Sequence, residues 1–144
     1  MKKSIPSRNE AEISHYLGLD FGKAKIGLAI ADNETRMAFA FSTLKNDKNF
    51  LQKLKEIVEN ENIKAIVIGI TRHEKDQQSA EEKMEFAERV KKETGLIPFF
   101  QEEMFTTKMA TENLKQSGQK NIAAKDDQEA ARIILQSWLD KNSL

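Results

Sequence analysis

Three sets of carboxylates stand where the apolar patterning of the chain breaks off: Asp20 in "YLGLDFGKAKIGLAI", Glu102 and Glu103 after "LIPFF", and Asp126 and Asp127 ahead of "QEAARIILQSW". An ionised carboxylate in an apolar strand costs several kcal/mol without a partner, so Asp20 requires a cation, a donor network or a bound metal. Acids converging from separate elements repel one another, and a divalent ion resolves the repulsion. Hard oxygen ligands suit Mg²⁺, which is commonly held by a few carboxylates, waters and substrate phosphate, and paired ions of this kind can activate water and steady a leaving oxygen. Each acid also has a purely structural reading. Asp20 can accept hydrogen bonds from the turn "FGKA", Glu102 and Glu103 can open a solvated loop, and Asp126 and Asp127 can cap the last helix, with Glu129 three residues after Asp126. His15 reads as packed in a strand, His73 as exposed in "TRHEKD", and Gly22 and Gly27 as turn and close-packing residues.

The elements that must position these acids are legible from periodicity. "ISHYLGLD" and "KIGLAIAD" read as two strands joined by the tight turn "FGKA", with a third strand over "MAFAFSTL". In "DKNFLQKLKEIVENEN", Phe50, Leu51, Leu54, Ile57 and Val58 recur at helical spacing, with Asp47 as the expected N-cap. "IKAIVIGI" is a continuous apolar run of the kind a strand shows when both faces of a parallel sheet are covered. "SAEEKMEFAERVKKETG" predicts a helix ended by Gly95, "LIPFFQEE" a strand, "TTKMATENLKQSG" a helix and "DDQEAARIILQSWLDK" a last helix. The order predicts a layered α/β fold with a mixed sheet, in which sites form at the carboxyl edge of the strands. Residues 1–12 read as a flexible extension and 13–144 as one domain.

Composition narrows the chemistry. The chain has no cysteine and two histidines, which excludes disulfides and thiolate zinc sites and leaves any metal to Asp and Glu. With 23 basic and 23 acidic side chains the net charge is zero, so attraction for a polyanion has to be local. Candidate basic patches are Lys2, Lys3 and Arg8, and the segment holding Lys108, Lys115, Lys120 and Lys125. No apolar run reaches the length of a membrane span and the first residues lack a signal-peptide pattern, so the expected location is the cytoplasm, with no membrane partner.

"LGLDFGKAKIGLAIAD", "IKAIVIGI", "EEKMEFAERV", "QEEMFTTKMA" and "KDDQEAARIILQSWLD" resemble, in order, the motifs of the YqgF family of Holliday-junction resolvases, also described as pre-16S ribosomal RNA nucleases. The resemblance runs from about Ile13 to Asp140. It implies an RNase H-like fold with a mixed five-stranded sheet flanked by helices. It also implies an endonuclease using Mg²⁺ or Mn²⁺ held by Asp20, Glu103 and Asp127. Lys25 stands where the family has arginine in the first hairpin, and Thr106 and Thr107 match the threonines of its Asp-Glu-Arg-Leu-Thr-Thr motif. The Asp-Glu-Arg triplet of that motif is Glu102, Glu103 and Met104 here, so its cation is absent from that position. In the altered loop after Gly69, Arg72 and His73 are candidate replacements as phosphate contacts. The implied partner is nucleic acid, a ribosomal RNA precursor preferred over branched DNA, for a monomer or homodimer. A non-catalytic RNA-binding or assembly factor is the reading from another class. A nucleotide-binding ATPase or sugar kinase is a third, because "GLDFGKAKIGLA" also resembles a phosphate-binding hairpin, although 144 residues supply one lobe of the two such enzymes need.

Overall fold

The computed structural model describes residues 13–70, 77–102 and 122–142. In chain order these form β1 (His15–Asp20), β2 (Lys25–Asp32), β3 (Ala38–Lys45), α1 (Phe50–Asn60), β4 (Ile63–Ile70), α2 (Gln77–Thr94), β5 (Phe99–Glu102) and α3 (Ile122–Lys141). The strands make one mixed sheet in the order β3-β2-β1-β4-β5. β2 is antiparallel to both β1 and β3, while β4 runs parallel to β1 and to β5. The carboxyl ends of β1, β4 and β5 therefore share one edge. The segment expected as a flexible extension and the helix expected over "TTKMATENLKQSG" lie outside the described residues. No described helix is long and apolar enough to cross a membrane.

Alternation along the strands feeds two cores. Leu17, Leu19, Ile26, Leu28, Ile66 and Ile68 pack with Phe50 and Leu54 of α1 and Phe86 and Val90 of α2. On the other face Tyr16, Ala29, Ala31, Ala65 and Val67 pack with Ala131, Ile134, Leu135, Trp138 and Leu139 of α3. β4 is buried on both sides, which is why "IKAIVIGI" is apolar without a break. Glycine and alanine dominate the sheet under α3, so that helix lies close to the strands.

The structure moves several expected boundaries. β5 starts at Phe99, after Pro98, whose ring nitrogen has no hydrogen to donate to a ladder. Asn49, not Asp47, is the N-cap position of α1; Asp47 Oδ1 instead accepts the Asn49 amide at 2.9 Å, an Asx turn leading into the helix. Gly95 takes φ +82° past the end of α2 and its amide donates to the Lys91 carbonyl, as expected of a C′ residue. α3 begins at Ile122, so Asp126 and Asp127 sit inside its second turn. The reading of these two acids as caps is thereby corrected: their amides lie within the helix, and the alanines at 123 and 124 extend it toward the amino end.

Candidate active site

Asp20 faces α3. On the same side of β1, Tyr16 meets Trp138 with ring centroids 5.9 Å apart, and a Cβ on Gly18 would stand 2.8 Å from Leu135 Cβ, so alternation carries Asp20 to that face. Directly across the antiparallel ladder from Asp20 is Gly27 of β2. Facing residues in such a ladder have Cα atoms about 4.5–5.5 Å apart. A Cβ built on Gly27 would lie 2.1 Å from the carbonyl oxygen of Asp127 and 2.9 Å from its Cβ. Asp127 thus packs onto the bare backbone beside Asp20, and glycine is required there because no side chain fits under the helix.

Two further contacts fix α3 in this place. Gln128 Nε2 donates to Thr43 Oγ1 at 3.1 Å, and Thr43 is the β3 partner of Gly27. At the far end, Gln136 Oε1 accepts the Ala38 amide at 2.8 Å while its Nε2 donates to the Arg36 carbonyl at 3.2 Å. Arg36, at φ 56°, sends its guanidinium to the carbonyls of Leu139 and Asn142 at the helix carboxyl end. Gln136, noted in sequence only as part of a motif, therefore clasps helix to edge strand. Its signal was its fixed place after Leu135; its partner 98 residues away was not visible.

Lys25 opens β2, with its Nζ 3.5 Å from Asp127 Oδ2, an oxygen that is itself buried. An ammonium beside Asp127 offsets part of the repulsion between that acid and Asp20. The turn before it is tied down by Asn46, whose Nδ2 donates to Gly22 O at 2.7 Å and whose amide donates to Ala24 O at 2.9 Å. The glycine-bounded turn is thus held against the end of β3.

On β5, Phe99 packs against Trp138 with centroids 5.2 Å apart, so Phe99 and Gln101 face α3 while Phe100 and Glu102 face the opposite layer. Of the two neighbouring glutamates, Glu102 is on the face away from Asp20 and Asp127. Gln101, 6 % exposed, pairs with Gly69 on the α3 side of the sheet; sequence reasoning did not single it out. His15 is half-buried, its Nδ1 2.7 Å from the Glu61 carbonyl oxygen. Among the described residues no three His, Cys, Asp or Glu side chains gather in a metal-binding group. Glu103, Arg72, Thr106 and Thr107, expected around the site, lie outside the described residues, as do His73 and Met104. The donor set that is described, two hard carboxylates brought over a position lacking Cβ, fits a divalent cation.

The RuvX family, described as Holliday junction resolvases, matches residues 14–141. The chain belongs to this family. A relative from Corynebacterium diphtheriae, 31% identical, covers 97% of this RuvX-family chain and is itself covered over 92%. One from Sulfurihydrogenibium sp. is 33% identical, with 91% and 93% coverage. Both bear the name "Putative pre-16S rRNA nuclease". Among solved structures, Thermus thermophilus RuvC in complex with a Holliday junction substrate aligns with a TM-score of 0.58 at 14% identity, over 89% of this chain and 94% of that one. That likeness confirms the RNase H-like fold of the RuvX chain.

Proposed function

We propose that this RuvX-family chain is a divalent-metal-dependent endonuclease on structured nucleic acid that processes the 5′ end of pre-16S ribosomal RNA in the cytoplasm. The observation that carries the proposal is the meeting of Asp20 and Asp127 over Gly27, at the edge where β1, β4 and β5 end. Asp20 and Asp127 are the ligands from β1 and α3. Glu103 is assigned as the third on the family resemblance, and the place of Glu102 on the face of β5 away from Asp127 supports the choice between them. Mg²⁺ or Mn²⁺ bound to this set supplies Lewis-acid polarisation of the scissile phosphodiester.

The chain's own residues do the rest. Lys25 keeps a positive charge beside Asp127 and is positioned to meet a substrate phosphate. Arg72, Thr106 and Thr107 are assigned to phosphate contacts on the family resemblance. The names of the curated relatives favour precursor ribosomal RNA, while the family description supports a four-way DNA junction as the second reading.

One assay separates them: precursor RNA and a four-way junction, each with Mg²⁺, Mn²⁺ or chelator, for wild type and Asp20→Asn. Metal-dependent cleavage of RNA that disappears in Asp20→Asn is the expected result. Cleavage of the junction alone favours the second reading. Binding without cleavage marks an assembly factor, and cleavage undiminished in Asp20→Asn refutes the metal assignment.

A further inference from the structure

The outer strand β3 carries exposed apolar side chains that the site above does not use. Phe39 is 58% exposed and Phe41 37%, with Met37 just ahead of them at 57%. A row of this kind on a sheet edge marks a contact surface. Two features block its use for strand pairing with a second copy of the chain. The β2–β3 register slips between Leu28 and Ala29, leaving Phe41 as the extra residue of a bulge, and the Ala38 amide is already bound to Gln136.

The charge at the end of the strand indicates the occupant. β3 ends at Lys45, which is registered with Lys25, and Lys23 and Lys48 are exposed in the segments tied together there by Asn46. Asp47, the exposed acid among them, accepts the Asn49 amide. In a chain of zero net charge, this local excess of lysine is what attracts a polyanion. Aromatic rings next to lysines suit unpaired bases: every base has a face to stack, while bases in a duplex are covered by their neighbours.

We propose that the β3 edge is a single-strand nucleic-acid platform. Phe39, the ladder partner of Ile30, lies on the α1 and α2 side of the sheet. Bases of an unpaired segment stack on Phe39 and Phe41, their phosphates meet Lys45, Lys23 and Lys48, and the strand passes around the β3 edge to Lys25 and Asp127 on the α3 side. From Phe41 to Lys45 is about 13 Å along the strand, a span of a few nucleotides. The placement of the scissile phosphate rests on the nuclease reading; the stacking itself is measurable without cleavage.

The test is fluorescence anisotropy of the full chain in chelator, with a labelled unstructured 20-nucleotide RNA and with a blunt RNA duplex. Phe39→Ala/Phe41→Ala is expected to weaken single-strand binding by roughly tenfold or more and to leave duplex affinity unchanged. Phe39→Tyr/Phe41→Tyr is expected to retain binding, and Lys45→Glu to weaken both ligands. Because both rings are partly exposed, the alanine variant is expected to keep the wild-type circular dichroism spectrum and to stay folded at the assay temperature, with a modest fall in melting temperature. Unchanged single-strand affinity in the alanine variant overturns the platform. So does equal loss on single strand and duplex, or a wild-type dimer in light scattering that the alanine variant turns into monomer. If wild type binds as expected but cuts no RNA in Mg²⁺, the nuclease reading fails and the platform stands.

Discussion

Gly27→Ala isolates the packing that brings the two described acids together. The added Cβ would lie 2.1 Å from the Asp127 carbonyl oxygen and 2.4 Å from its carbon. Carbon and oxygen without a strong bond approach to about 3.3 Å, so the helix has to retreat by roughly 1.2 Å at this point. The obstacle is backbone, and no rotamer change relieves it. Overpacking of this kind costs about 1–3 kcal/mol, a fall in Tm of roughly 3–10 °C for a chain of this length. A catalytic group displaced by about 1 Å loses on the order of 100-fold in rate. The assay is single-turnover cleavage of labelled precursor RNA at saturating enzyme, below the melting range of the variant. Gly95→Ala is the control: it strains a residue at φ +82° with nothing within 4 Å of its added Cβ, so it costs stability, about 1–2 kcal/mol, without touching the site. A Gly27→Ala protein that is folded and cleaves at the wild-type rate refutes the reasoning.

Other outcomes follow from single contacts. Lys25→Met should change stability by no more than about 1 kcal/mol, as for other half-exposed ion pairs, yet slow RNA cleavage; equal activity removes Lys25 from the site. Arg36→Ala should cost about 1–3 kcal/mol by releasing the carbonyls at the end of α3, and amide exchange should rise first around Trp138 to Asn142; unchanged exchange there argues against the clasp. Asp32 is held below the ordinary carboxylate range, chiefly by the Thr35 amide, with the Thr35 hydroxyl and Glu34 amide adding to it. Its contribution is therefore complete above the unfolded value of about 3.9 and lost as pH falls through the lower folded value. The Tm gap between wild type and Asp32→Asn, present at neutral pH, should close on acidification; a gap that widens contradicts the assignment.

The strands were readable because burial on each face is written as alternation or as an unbroken apolar run: "KIGLAIAD" and "IKAIVIGI" coincide with β2 and β4. The start of α3 was not, because two aspartates before an apolar stretch carry the same local signal whether they cap a helix or stand in its second turn. Asp20 stood out as an acid among apolar residues. Its nearness to Asp127 depends on Gly27, whose local sequence shows only a small residue; the helix that needs the space is 100 positions further on. That Glu102 faces away from Asp20 likewise depends on the register of β5 against β4, a long-range property that "FFQEEM" does not show by itself; Glu103 was singled out by the family motif and lies outside the described residues.

The central claim is that Asp20 and Asp127 belong to a single metal site. Mn²⁺ titration of wild type, Asp20→Asn and Asp127→Asn, followed by electron paramagnetic resonance of free Mn²⁺, tests it most directly. Either substitution is expected to abolish or strongly weaken the same binding event while circular dichroism stays that of wild type. Wild-type Mn²⁺ affinity in either variant would contradict it.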